Sequence, residues 1–248
     1  MTQQRTEKQN SHKELSKREV RAERILDAAA MLIQKWGYSK TTIDDIARQA
    51  GVAKGTIYLH WKTREDLFFA LITREGVKLA EDMKQRIASD PQGATLHGFV
   101  KHTTLAIFKS PLMKALFLKD TEMLGVWANK EYTSTTYTER IVNYKTFLES
   151  LRAHGIVSTE IDIYRQTYIL SSLWLGFLLA DPWMPDEFKF SDEEVAEMLA
   201  DSVERVLAPR HPTSGIDANA QREVANALNQ YMDQEVSSIK DLQKEFET

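Results

Sequence analysis

Apolar residues recur at intervals of three and four along almost the whole chain, and no segment alternates apolar with polar residues as a half-buried strand does. A chain patterned in this way has to bury its stripes helix against helix, so the expected fold class is all-α. Ile25, Ala29, Leu32, Ile33 and Trp36 make the first stripe, and Gly37 stops it. A second, short stripe of Ile43, Ile46, Ala47 and Ala50 is opened by Thr42 with Asp45 three residues on, a variant of the capping box, and closed by Gly51. Val52, Ile57 and Trp61 line the inner side of a third short helix. Thr63 with Asp66 then repeats the capping pattern for a long fourth helix, which carries Leu67, Phe68, Leu71, Ile72, Leu79, Met83 and Ile87 to about Ser89.

Breakers divide the remainder. Asp90-Pro91-Gln92-Gly93, Ser110-Pro111, Gly155 and the stretch Asp181-Pro182 to Pro185 separate helices expected near 94–109, 111–125, 129–154, 160–180 and 191–208. Ser191 with Glu194 is a full capping box. Pro209 to Gly215 reads as a linker, and Asp217 to Thr248 as one more helix with Leu228, Met232, Val236, Ile239 and Phe246 on a stripe.

Several function classes drop out at this point. The longest nearly apolar run, Tyr168 to Ala180, is too short for a bilayer span, and the polar N-terminus lacks the apolar centre of a secretory leader. A chain without cysteine has no disulfide, thiolate ligand or cysteine nucleophile, and a cytoplasmic protein without membrane contact is expected. With no glycine-rich phosphate loop and no G-x-S-x-G elbow, neither catalysis nor a cofactor is expected. His97 and His102 are five apart, which does not stack them on one helix face, so no metal site is expected either.

Charge points to a partner. Residues 1–64 hold 13 Lys and Arg against 7 Asp and Glu, whereas the rest of the chain is acidic enough to bring the net charge to −4. A basic head on an acidic protein is an electrostatic footprint for a polyanion. Two short helices joined by a turn at Gly51 and braced by a longer first helix make a helix-turn-helix, whose second helix enters the DNA major groove. In that helix Lys54 and Thr56 can reach base edges or phosphates, Gly55 lets the backbone approach closely, and Tyr58, His60 and Lys62 can grip the phosphate backbone. The competing reading is an all-helical enzyme with a basic appendage, and sequence-specific duplex binding separates the two.

The stretch TTIDDIARQAGVAKGTIYLHWKTREDLF, residues 41–68, resembles the N-terminal DNA-binding domain of TetR-family transcriptional regulators. It joins the Thr-capped helix, the AGV turn, the KGTIY recognition helix and the entry to the fourth helix in one register. The likeness extends back to Arg21 and covers roughly a quarter of the 248 residues. Ala53 stands where that family often has Ser, which removes a hydroxyl cap, and Trp61 replaces a common Phe at a core position.

The resemblance implies a three-helix head joined by a long helix to an α-helical body for ligand binding and dimerisation. On this reading residues 1–17 are a disordered basic arm, 18–64 the DNA-binding domain, 65–210 the body, and 216–248 an additional C-terminal helix. Thr42, Lys54, Gly55, Thr56, Tyr58, His60 and Lys62 fall at the DNA, the helices at 160–180 and 191–208 build a homodimer, and a small molecule in the body lowers affinity for a double-stranded operator. The body is rich in aromatic residues, and the expected ligand wall is Phe117, Trp127, Tyr137, Tyr144, Trp174 and Phe177, with His102 as polar anchor. The extra C-terminal helix keeps a second reading open, a constitutive or partner-gated repressor without a small-molecule ligand; packing within the dimer is the expectation for that helix.

Overall fold

The computed structural model describes residues 2–129, 142, 144–209, 223, 225–234 and 236–237, with side chains from Lys17 onward. Among these residues all regular structure is helical. α1 (Thr2–Trp36), α2 (Ile43–Ala50) and α3 (Lys54–Tyr58) form the head. α4 (Arg64–Ser89) leads from it into a body of α5 (Leu96–Phe108), α6 (Pro111–Leu118), α7 (Thr121–Leu124), α8 (144–153), α9 (Ile163–Ala180), α10 (Asp192–Leu207) and α11 (225–234).

Local chemistry sets most of the boundaries. Thr42 with Asp45, Thr63 with Asp66 and Ser191 with Glu194 all close reciprocal capping boxes, each satisfying backbone N–H groups that a helix start leaves open. Ala53 makes no side-chain cap, and α3 has only 5 residues, ending at Tyr58. Beyond it the Trp61 N–H bonds back to the Ile57 carbonyl at 3.0 Å while the ring packs on the core, and Thr63 already opens α4. The expected helix at 111–125 is two helices. Lys119 takes a left-handed conformation, and Asp120 caps α7 by accepting from the Glu122 and Met123 N–H groups.

Two further expectations are corrected. Residues 2–17, expected to be a disordered arm, continue α1 as helix; the stretch has no Gly or Pro and is rich in straight-chain Gln, Glu, Lys and Arg, which lose little freedom in a helix. Trp36, assigned to the inner stripe of α1, is 42% exposed with Lys35 over its ring, because the stripe has run past the core at the helix end.

Head and body share one continuous core, and it narrows to an aromatic knot. Tyr38, in the turn after α1, packs at 4.6 Å from Phe68 of α4 and 6.2 Å from Trp127, while Phe68 and Trp127 are 4.8 Å apart between ring centroids. The Arg64 guanidinium lies over the Tyr38 ring and donates to its backbone carbonyl, and the Tyr38 hydroxyl donates to Glu65 at 3.2 Å. The Tyr38 N–H in turn donates to the Met123 carbonyl at 2.8 Å, which ties this turn to α7. Gly37 permits the approach: its φ is +77°, and a Cβ there would meet the Glu122 carbonyl oxygen at 2.6 Å.

The C-terminal segment packs on its own body. Leu228, Tyr231 and Met232 of α11 are buried, with the Tyr231 ring edge-on to Phe99 and stacked on Phe147 of α8. Asp233 pairs with Lys84 of α4 at 2.8 Å, and Glu223 with His154 at 2.6 Å.

Two substitutions test this packing by urea unfolding. Gly37→Ala should cost more than about 1 kcal/mol, the scale of a left-handed conformation for a residue with Cβ, with the carbonyl clash added. Tyr231→Ala should cost about 3 kcal/mol as a large aromatic deletion, whereas Asp233→Asn, on an exposed ion pair, should cost under about 1 kcal/mol.

Candidate nucleic-acid interface and ligand site

The head is assembled around one fully buried residue of α3, Ile57, flanked by half-buried Val52 and Trp61. Seating Ile57 inward turns Lys54, Gly55 and Tyr58 outward, with Thr56 half-buried beside them and Lys62 exposed just beyond the helix. Tyr58 is 45% exposed and Leu59, which was not among the expected contacts, 73%. Open space lies where a Gly55 Cβ would be, so the backbone of α3 is itself on the surface.

Electrostatics prepare this surface. Lys54 donates to Asp44 of α2 at 2.8 Å, and this hydrogen bond raises the lysine's pKa. The ion pair is solvent-exposed on both sides, so the ammonium can exchange its carboxylate for a phosphate. His60 rests against Trp61, ring centroids 5.3 Å apart. Burial first, then the charges of Arg18 and Arg21 on α1, push its pKa down, so near neutral pH it is an uncharged donor or acceptor. Arg18 also donates to the Leu59 carbonyl at 3.4 Å, which brings a cation of α1 to the end of α3. Thr42 is exposed at the start of α2, with its side chain committed to the capping box. Six of the seven expected DNA residues thus fall within 54–62, and Lys54 reaches back to Asp44, two residues from Thr42.

The expected ligand wall divides. Tyr144 and Trp174 come together, ring centroids 5.9 Å apart, but around Phe99 of α5 and with Phe147 and Tyr231 completing the cluster. Trp127 is fully buried in the head–body knot with Tyr38 and Phe68. Phe117 and Phe177 are half-buried against the general core, and Tyr137 lies outside the described residues. Tyr231 lies off the Leu228–Met232–Val236 stripe, but at three residues from Leu228 it shares that face of the helix.

Polar chemistry collects around this cluster. The Trp174 indole N–H donates to the Thr104 hydroxyl at 2.9 Å. The Tyr144 hydroxyl is buried without a partner among the described residues, as are the Thr103 hydroxyl and the Nδ1 of His102. Burial pushes the Tyr144 phenol well above its ordinary pKa, with Tyr231 adding to the effect, so it stays a neutral donor. His102 binds Asp90 through Nε2 at 2.7 Å, so a neutral ring that donates there keeps Nδ1 as an acceptor. Phe99, His102 and Thr103 share one face of α5 by spacing. An unmet buried polar atom costs about 1–3 kcal/mol, and these lie beside an apolar wall.

The head and the fold can be set beside known proteins. Residues 25–71 match the family described as bacterial regulatory proteins, tetR family. The fatty acid metabolism regulator protein of Bacillus subtilis is 41% identical over 63 residues, which are 25% of this chain and 32% of that protein. The chain therefore spans only about a third of that curated relative's length. The solved TetR-family transcriptional regulator PfmR of Thermus thermophilus superposes with a TM-score of 0.52 at 21% identity, over 73% of this chain and 97% of that one. The FadR of Bacillus subtilis in complex with stearoyl-CoA does so with a TM-score of 0.51 at 19% identity, over 73% and 96%. These superpositions establish a shared fold through head and body, and the head, residues 25–71, matches the tetR family of bacterial regulatory proteins.

Proposed function

We propose that this protein is a homodimeric, sequence-specific DNA-binding transcriptional regulator, a repressor released from its operator by an apolar or aromatic small molecule bound in the body. The observation that carries the reading is the outward face of α3, where Ile57 is buried and Lys54, Gly55 and Tyr58 are turned to solvent on a basic head. In this role Lys54 and Thr56 read base edges, and Tyr58, His60, Lys62 and Thr42 hold phosphates.

Dimerisation is supported by α9 and α10. Tyr164, Tyr168, Gly176 and Leu179 are exposed along one stripe of α9, and Met198 and Val206 on α10. Gly176 has open space around its missing Cβ, room for a second helix to come close. Two heads held by such an interface read half-sites about one helical turn apart, roughly 34–36 Å.

Ligand control is supported by the wall of Phe99, Tyr144, Phe147 and Trp174 with its unmet polar atoms. An elongated apolar ligand with a polar group, the class to which the stearoyl-CoA held by the Bacillus subtilis FadR belongs, suits such a wall. Two connections carry its effect to the head: α4 is continuous from Arg64 to Ser89, and the Tyr38–Met123 hydrogen bond couples the turn after α1 to α7. A coupling of about 1–3 kcal/mol would change operator affinity some 5- to 150-fold. One observation favours the ligand-free alternative, since Tyr231 fills space inside the aromatic cluster.

Binding to operator duplexes tests the reading of the head. Lys62→Ala should weaken binding to all duplexes and lower the slope of log affinity against log salt by about one, whereas Lys54→Ala and Thr56→Ala should change sequence preference. An equal loss of specificity in all three rejects the assignment. Tryptophan fluorescence tests the body. Long-chain acyl thioesters that release operator DNA should quench emission at the same midpoint, and the quench should survive Trp127→Phe but be lost in Trp174→Phe. Operator affinity insensitive to every quenching compound would favour the ligand-free alternative.

A further inference from the structure

We propose that His97, Glu197 and Asp201 form a zinc site that staples α5 to α10. His97 lies in the first turn of α5, and Glu197 and Asp201 are one turn apart on the facing side of α10. The Nε2 of His97 is 3.4 Å from Glu197 Oε1 and 3.3 Å from Asp201 Oδ1, and the three atoms all lie within 4.8 Å of one another.

The distances set this cluster apart from the other histidine–carboxylate pairs among the described residues. A histidine bonded directly to a carboxylate closes to about 2.7–2.9 Å, and in this protein His102 with Asp90 does so at 2.7 Å and His154 with Glu223 at 2.6 Å. Two of the three separations, those from His97, match the edge of a tetrahedron around zinc, roughly 3.3 Å for ligand bonds of about 2.0–2.1 Å, and the third, between the two carboxylate oxygens, lies within 4.8 Å.

Each carboxylate also has its second oxygen turned to a cation. Lys101 Nζ holds Glu197 Oε2 at 2.6 Å, and Arg205 Nη2 lies 3.8 Å from Asp201 Oδ2. The Lys101 contact leaves Glu197 Oε1 toward His97, and both cations offset part of the acidic charge, as partners behind metal ligands commonly do. One imidazole with two carboxylate oxygens suits zinc better than magnesium or calcium, which take six or more oxygen ligands. All three side chains are only half-buried, so water can complete a fourth position. A metal here would fasten α5, which follows the α4 lever, to α10 on the proposed dimer face, and so stiffen the body independently of any organic ligand.

The test uses the tag-free full-length protein after chelator treatment. Zn²⁺ titrated against a chromogenic chelator should bind at one ion per chain, and Co²⁺ in its place should give the intense visible absorption of four-coordinate geometry. His97→Gln and Asp201→Asn should each weaken Zn²⁺ binding by at least about tenfold and abolish the rise in melting temperature that Zn²⁺ gives the native chain. His154→Gln should leave both unchanged. Circular dichroism of the chelator-treated variants shows that they fold. Absence of saturable binding, or equal binding by folded His97→Gln and Asp201→Asn, would overturn the proposal and leave the cluster as a network of ion pairs only.

Discussion

Tyr38 is where the head meets the body, and most of the architecture is organised by what surrounds its ring. Phe68 and Trp127 hold it from the α4 and α7 sides, Arg64 covers it, and its own N–H is spent on the Met123 carbonyl. Tyr38 is buried, and burial raises the pKa of its phenol, so the hydroxyl stays a neutral donor to Glu65. Packing of this density has discrete rather than graded arrangements, so a shift of α7 has to move the turn after α1 or break the contact. The turn precedes α2, and α2 positions α3. The ligand control proposed above would therefore have a route to α3 through this knot in addition to the length of α4.

The body combines features that pull in opposite directions. Phe99, Tyr144, Phe147, Trp174 and Tyr231 make a wall that any tightly packed bundle would fill completely. The Tyr144 hydroxyl, the Thr103 hydroxyl and the His102 Nδ1 are nonetheless buried with no partner among the described residues. Unmet buried polar atoms carry a cost, which polar groups of the proposed ligand would offset by serving as partners. Their retention beside aromatic surface is what the proposed ligand reading explains. The C-terminal helix is part of the same balance, since Tyr231 completes the wall while Asp233 reaches Lys84 on α4.

The head and the helical body were legible in the sequence because what defines them is local. The three capping boxes join residues three apart, Gly51 ends α2 by its own conformation, and the Ile43–Ile46–Ala47–Ala50 stripe is one face of one short helix. Even the contact between α2 and α3 closes within about fifteen residues, so turn chemistry and hydrophobic period were enough to place Lys54, Gly55, Tyr58 and Lys62 on the outer side. The short α3 was less legible, because its end depends on Trp61 docking against residues of other helices.

Wherever two distant segments share a surface, periodicity says that a residue is buried but not beside what. Trp127 and Trp174 carry the same signal in the sequence, yet one joins Tyr38 and Phe68 at the head while the other joins Phe99 and Tyr144 in the body. His97, set against His102 on its own helix, offered no metal geometry; its partners are a hundred residues away on α10. Local sequence determined the helices, their caps and the exposed face of α3, since these depend on hydrogen bonds and stripes within a few residues. Tertiary packing alone decided which aromatic rings gather, where Tyr231 inserts and which carboxylates face His97, since those contacts depend on how whole helices are stacked.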